Sequence, residues 1–342
     1  MAVAEATGRT AGGLAGKRLP FEAIPIVDFG PFLTGDAATR RRVAKEIGRA
    51  SAEVGFFYIR NHGVAESLID TTLAEAKRFF DQPLARKLDI AMTKSKYHRG
   101  YYGMGDENLD PKKQKAGGDL KEGINIGRDL PLDDPDVKAG KPLHGPNQWP
   151  DLPGWREQMI KHFYVMQELG SKLLAAFALS LDLPEDFFAD KITKPLTTLR
   201  LVHYPPQTGP ISEAQLGAGA HTDFGCFTMV WQDDVGGLQV KNSAGEFIDA
   251  VPIPGSFVVN IGDMLARWTN DRFASTTHRV INTSGRERYS MAFFFDPNFD
   301  VDVSCLPTCL NPGEAPHYPP TSGGQHLLDR IAETFEYRTK QG

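Results

Sequence analysis

Between Pro195 and Asp300 the chain breaks into seven short apolar runs, at 198–204, 220–232, 237–241, 247–250, 256–261, 276–282 and 289–295. Gly, Pro, Asn and Asp punctuate them at near-regular spacing. Short strands cut at that rhythm fold as a sandwich or barrel, because each strand must return to bury its apolar face. The first half of the chain has a different texture. Val43, Ile47, Ala50 and Val54 recur at helical spacing, as do Ile69, Leu73, Ala76 and Phe80, with Pro83 ending the second helix. A short strand and turn lie between them, from Phe56 to Ile59 and then Asn61-His62-Gly63. A long helix is expected over 155–181, with Met159, Phe163, Met166, Leu173 and Phe177 as its buried stripe. Residues 93–154, rich in Gly, Pro, Lys and Asp, read as mostly loop. The expected organisation is a disordered tail over 1–22, an N-terminal α/β region over 23–195, a β core over 196–300, and a C-terminal tail and helix over 301–342. The fold class is mainly β with flanking helices.

Bulk properties remove several functions. A net charge of −5 offers no concentrated basic surface for nucleic acid. No segment approaches the roughly 20 apolar residues of a membrane span. The start lacks the apolar stretch of a signal peptide. Three cysteines, Cys226, Cys305 and Cys309, are an odd and sparse set that fits a reducing, cytoplasmic setting. Cys305 and Cys309 read as surface thiols.

His221-Thr222-Asp223 carries the chemistry. Residues i and i+2 of a strand project from one face, so an imidazole and a carboxylate at that spacing can grip one ion. His278, in a later β run, is the candidate third ligand. Two histidines and a carboxylate on one face of an octahedron leave three positions open, the pattern of non-haem iron(II) oxygenases. A zinc hydrolase with two His and one Asp is the chemical competitor. Ten residues after His278, Arg288 and Ser290 again share a strand face, and a guanidinium fork with a hydroxyl suits a carboxylate. Gly262-Asp263 reads as a tight turn between strands.

The order of these motifs resembles the isopenicillin N synthase-like family of iron(II)/2-oxoglutarate oxygenases. One block of resemblance runs from Ile24-Pro25-Ile26-Val27-Asp28-Phe29 through Val54-Gly55-Phe56-Phe57-Tyr58-Ile59 to Lys77-Arg78-Phe79-Phe80. The other, from Leu199 to Asn298, holds His203-Tyr204-Pro205, Gly219-Ala220-His221-Thr222-Asp223, Gly236-Gly237-Leu238, Asn260-Ile261-Gly262-Asp263, Thr277-His278-Arg279-Val280 and Arg288-Tyr289-Ser290. The resemblance implies a double-stranded β-helix, or jelly roll, with helices packed outside. It implies Fe(II) on His221, Asp223 and His278, and 2-oxoglutarate on Arg288, Ser290 and Tyr204. It further implies that the strands of His278 and Arg288 lie in facing sheets. The implied reaction consumes O2 and 2-oxoglutarate, yields succinate and CO2, and hydroxylates or desaturates a small molecule. Substrate contacts are expected from Arg200, Glu122, Trp268 and Phe295, while His203, of opposite parity to Tyr204, faces outward.

One departure concerns the residue two before Tyr204, often Asn in plant members and Val202 here. Three neighbouring readings stay open at this point. Segments such as Pro205-Pro206-Gln207-Thr208 resemble bacterial ethylene-forming members, whose extra segment after the Gly-Gly-Leu region is missing. An oxidase of the same fold would need no 2-oxoglutarate. A silent jelly roll would be expected to have lost a ligand. Monomer and homodimer are equally compatible with the sequence.

Overall fold

The computed structural model describes residues 23–334 apart from 116, 208–211 and 213, so the tail expected over 1–22 lies outside the described residues. Twelve strands are found among these residues. They are β1 (Ile26–Asp28), β2 (Phe56–Arg60), β3 (Gly100–Tyr102), β4 (Glu122–Gly127), β5 (Thr198–Tyr204) and β6 (Ala218–His221). Then come β7 (Phe227–Gln232), β8 (Leu238–Lys241), β9 (Phe247–Asp249), β10 (Ser256–Ile261), β11 (His278–Val280) and β12 (Arg288–Phe295). The helices are α1 (Gly30–Thr34), α2 (Ala37–Glu53), α3 (Glu66–Phe80), α4 (Leu84–Leu88), α5 (Pro135–Lys138), α6 (Trp155–Ser180), α7 (Asp263–Trp268) and α8 (Gly323–Thr334).

Two sheets form, in the orders β1-β2-β10-β7-β12-β5-β4-β3 and β6-β11-β8-β9. The four central strands β10-β7-β12-β5 and the four of the smaller sheet make the jelly roll. Strands from the N-terminal half complete the large sheet on both sides: β2 pairs antiparallel with β10, and β4 pairs antiparallel with β5. The first half of the chain therefore closes no sheet of its own.

Strand parity decides what each residue sees. On β12, Tyr289, Met291, Phe293 and Phe295 face the helices, and Arg288, Ser290, Ala292 and Phe294 face the other sheet. Helix α6 seals the outer face. Phe163 meets Phe293 edge-on at 5.3 Å, and Phe177 meets Phe57 and Phe227 at 6.4 and 5.3 Å. Gly170 is the point of closest approach, since a Cβ there would lie 2.2 Å from the Phe295 ring. These fully buried aromatics each remove on the order of 2 kcal/mol worth of apolar surface from water.

Several expectations are corrected here. Residues 93–154 are mostly loop, as expected, but they also contain β3, β4 and the short α5, which the sequence did not announce, and β4 is buried along its whole length. The run at 220–232 is two strands with a turn between them, so Asp223 lies two residues past the end of β6 rather than on a strand. Gly262-Asp263 caps and starts α7. Cys309 is 2% exposed, not a surface thiol. No helix of the described residues is long and apolar enough to cross a membrane.

Candidate active site

Strand pairing places His278 directly opposite His221, with ring centroids 4.3 Å apart. The turn after β6 swings Asp223 back toward both, and its Oδ1 lies 3.7 Å from each Nε2. The three donors lie within 4.8 Å of one another, close enough to share one ion. Each imidazole Nδ1 sits against a backbone carbonyl, 2.7 Å from Gly219 O and 3.1 Å from Thr276 O. An Nδ1–H donating to that carbonyl leaves the Nε2 lone pair aimed inward. Burial, and then the neighbouring His278, push the His221 imidazole down to about 3. Burial alone would raise the Asp223 carboxyl, but the two imidazoles and hydrogen bonds from Thr228 and Asn260 hold it below its ordinary value. A neutral imidazole and an ionised carboxylate are the forms that bind a divalent cation.

Asp223 is clamped from behind. Its Oδ2 accepts from Thr228 Oγ1 at 2.5 Å and from Asn260 Nδ2 at 2.6 Å, leaving Oδ1 for the ion. Thr222 Oγ1 donates to Asp263 Oδ2 at 3.1 Å and pins the turn between the two ligands to α7. These partners were not expected from the motifs. Their one signal is the polar Asn260 and Thr228 inside otherwise apolar strands.

The triad opens on a cavity of about 170 Å³ between the sheets. At one end Arg288 is 1% exposed. Its Nε donates to Gly236 O at 2.5 Å and its Nη2 to Gln232 Oε1 at 3.3 Å, while its guanidinium lies 4.6 Å over the Tyr204 ring. Its Nη1 is buried with no partner among the described residues. Val202, Val230, Leu238, Ala218 and Val280 wall this end, and Ser290 and Tyr204 line it as well. An unpaired guanidinium N–H in an apolar recess calls for an anion, because its desolvation is otherwise uncompensated. A dicarboxylate that reaches from there to the triad meets both demands, so the residues present fit 2-oxoglutarate. His278 and Arg288 do lie in facing sheets, as the resemblance implies.

The substrate-side expectations divide. Arg200 does face the cavity, held by Asn125 Oδ1 at 2.8 Å and by Glu107 at 3.1 and 3.3 Å. Glu122 does not. It pairs with His203 in the register, and the two turn away together under the helices, Oε1 to Nδ1 at 2.8 Å. Lys87 and Tyr101 each donate to its other oxygen at 2.7 Å. His203 likewise faces away from the cavity, though it is packed against Tyr289 at 4.8 Å rather than open to solvent. Phe295 belongs to the helix face, stacked on Phe227 at 5.1 Å. Trp268 lies in the core against Phe188 at 5.2 Å. In their place the cavity receives Phe294, Asn125, Lys121 and Glu107.

Comparison with known proteins agrees with this geometry. A family model described as "2OG-Fe(II) oxygenase superfamily" matches residues 196–297, and one described as "non-haem dioxygenase in morphine synthesis N-terminal" matches 24–152. The 2-oxoglutarate-Fe(II) type oxidoreductase hxnY of Emericella nidulans is 40% identical over 304 residues, covering 87% of this chain and 86% of that one. A homoarginine-6-hydroxylase of Oryza sativa is 36% identical, covering 92% and 98%. The crystal structure of full-length Neurospora crassa T7H with alpha-KG and thymine superposes with a TM-score of 0.80 at 32% identity, covering 91% of this chain and 96% of that one. Jelly roll, triad and relatives converge, and the chain belongs to the isopenicillin N synthase-like superfamily of iron(II)- and 2-oxoglutarate-dependent oxygenases.

Proposed function

We propose that His221, Asp223 and His278 ligate the iron, that Arg288 with Ser290 and Tyr204 holds the distal carboxylate of 2-oxoglutarate, and that the reaction is hydroxylation of a small molecule. The unpaired, buried Nη1 of Arg288 at the closed end of the triad's own cavity carries this reading. Relatives named as hydroxylases support hydroxylation over desaturation. When bound, iron, 2-oxoglutarate and O2 supply the oxidising equivalent, with release of succinate and CO2. The chain's own contribution is orientation and exclusion. Gly236 O and Gln232 fix the guanidinium plane, the valine and leucine walls keep water from the co-substrate tail, and Asn260 and Thr228 hold Asp223 so that one oxygen faces the metal.

The test is anaerobic titration of the iron(II)-loaded protein with 2-oxoglutarate, followed by the visible metal-to-ligand charge-transfer band. The band should form in the wild type, vanish in His221→Ala and weaken in Arg288→Ala. Iron binding without any band would refute the co-substrate assignment. The three cysteines are unpaired, which supports the cytoplasmic setting we also propose; recovery in a membrane or organelle fraction would contradict it.

A further inference from the structure

Helix α8 reaches the cavity with two rows of side chains. Leu327 and Ile331, four apart and so on one face, line the cavity wall. His326 and Arg330, each one residue earlier, make the neighbouring row and touch the turn that carries Asp223, or the residue that holds it.

The end of the cavity that α8 walls is the one left for substrate. Asp223 is clamped by Thr228, and Thr228 pairs with Phe294 across β7 and β12. From Phe294, Arg288 lies six residues along β12 in one direction, roughly 20 Å, and Asp296 two residues in the other, roughly 7 Å. The co-substrate tail takes the Arg288 side. Helix α8 starts beyond Asp296, where the N–H groups of Gly323 and Gly324 donate to Val301 O and Phe299 O at 2.9 and 2.8 Å.

Asp263, the first residue of α7, joins the two regions. Its N–H donates to Asp223 O at 2.8 Å and its Oδ2 accepts from Thr222 Oγ1 at 3.1 Å, so one residue holds both. The same Oδ2 lies 3.1 Å from Arg330 Nη2. The Arg330 guanidinium also sits 4.8 Å over the Phe224 ring, and His326 Nε2 is 2.8 Å from Phe224 O. Every residue from Thr222 to Phe224 is therefore held by α7, α8 or both. The ion pair is partly exposed, 32% for Arg330 and 25% for Asp263, so it adds little to stability. Its effect is orientation: without the guanidinium, the Asp263 carboxylate is free to turn toward solvent and leave the Thr222 hydroxyl.

We propose, on the assignment of the iron ligands given above, that Arg330 is a positioning residue for the metal. Acting through Asp263, it fixes the turn that carries Asp223, so the helix that walls the substrate end also sets the metal-binding carboxylate. The coupling is reciprocal: displacing α8 from the cavity loosens the iron site, and a turn ordered around iron steadies α8.

Iron(II) affinity is measured anaerobically on the full chain by competition with a chelating dye, and the fold by the denaturant midpoint of the metal-free protein. Arg330→Met and Thr222→Val should each weaken iron about three- to tenfold, below the range for a group bonded directly to a ligand. The metal-free midpoint of Arg330→Met should stay close to that of the wild type. The double variant should bind iron no more weakly than the worse single, because both changes interrupt one chain of contacts. A guanidinium that only docked α8 would give losses that multiply. Glu333→Gln, which removes the other partner of Arg330 within α8, should leave iron affinity unchanged. If Arg330→Met does not fold, Asp263→Asn breaks the same ion pair from the other side and takes its place. Wild-type affinity in Arg330→Met, multiplying losses in the double variant, or an equal loss in Glu333→Gln would overturn the proposal. Iron binding that survives His221→Ala undiminished would instead bring down the ligand assignment on which it rests.

Discussion

Arg288→Met separates stability from function because its stability terms largely cancel, whereas the loss of co-substrate binding has nothing to offset it. Without co-substrate, the guanidinium is a buried cation with two hydrogen bonds, one aromatic face and a bare Nη1. Replacing a buried charge by an apolar side chain of similar volume is often neutral or stabilising by about 1–4 kcal/mol. Against this stand the loss of the Tyr204 stacking, about 1 kcal/mol, and an unsatisfied Gly236 carbonyl, about 1–3 kcal/mol. The net effect on the iron-loaded protein alone should fall within about 3 kcal/mol of zero. With 2-oxoglutarate, the variant leaves a carboxylate unpaired in the same recess, costing about 2–5 kcal/mol or more, and weakens binding by a factor of about 30 or more. At a concentration 100 times the wild-type Kd, the ligand should stabilise the wild type by about 2.7 kcal/mol and the variant by less than about 1 kcal/mol. Anaerobic denaturation with and without 2-oxoglutarate reads both numbers. Equal ligand stabilisation in the two proteins would show that Arg288 does not hold the co-substrate.

Three further outcomes are expected. Asn260→Leu removes the 2.6 Å clamp on Asp223 Oδ2 and should weaken iron affinity about 10- to 100-fold by metal titration, with the fold retained by circular dichroism. Gly123→Ala would put a Cβ 2.3 Å from the Tyr102 hydroxyl, so the ring beneath Arg200 must shift; substrate binding should fall while 2-oxoglutarate affinity is kept. His162 gives an acid limb. Burial pushes its imidazole down to about 4, below the unfolded value of 6.5, so its stabilising effect is complete above pH 6.5 and is lost as pH falls toward 4. The full loss is roughly 3 kcal/mol, and the gap between urea midpoints at pH 7.5 and 5 should narrow in a His162→Phe variant, the remainder coming from the other buried histidines.

The triad and the co-substrate arginine were legible because their signals are local: His-x-Asp and Arg-x-Ser are spacings that a strand or its end converts directly into a shared direction. The strands at 198–204 and 256–261 are read to the residue for the same reason, being cut cleanly by Pro, Gly and Asp. Strand β4 escaped because its alternation is short, Ile124 and Ile126 only, and the glycines at 123 and 127 beside Asn125 mimic a loop. Glu122 was misplaced with it. Phe295 is a different error: the parity that joins Arg200 to Tyr204 also separates Phe295 from Arg288, and hydrophobicity alone favoured it. Glu107 and Lys121 carry no local signal at all, since only the folded path of residues 103–121 brings them to Arg200.

The large sheet's borrowed margins have a consequence for how such an enzyme can be altered. Iron and co-substrate residues sit on strands, or on the turn after one, between Tyr204 and Ser290, whereas Asn125 arrives on the hem stitched along β5 and Lys121 just ahead of it. Cutting the chain at 196 would strip both margins and expose the raw backbone of β10 and β5 to any passing strand, so the oxidising core should precipitate rather than survive alone. Re-tailoring the hem, residues 103–127, leaves the oxidising machinery intact and changes what is fed to it.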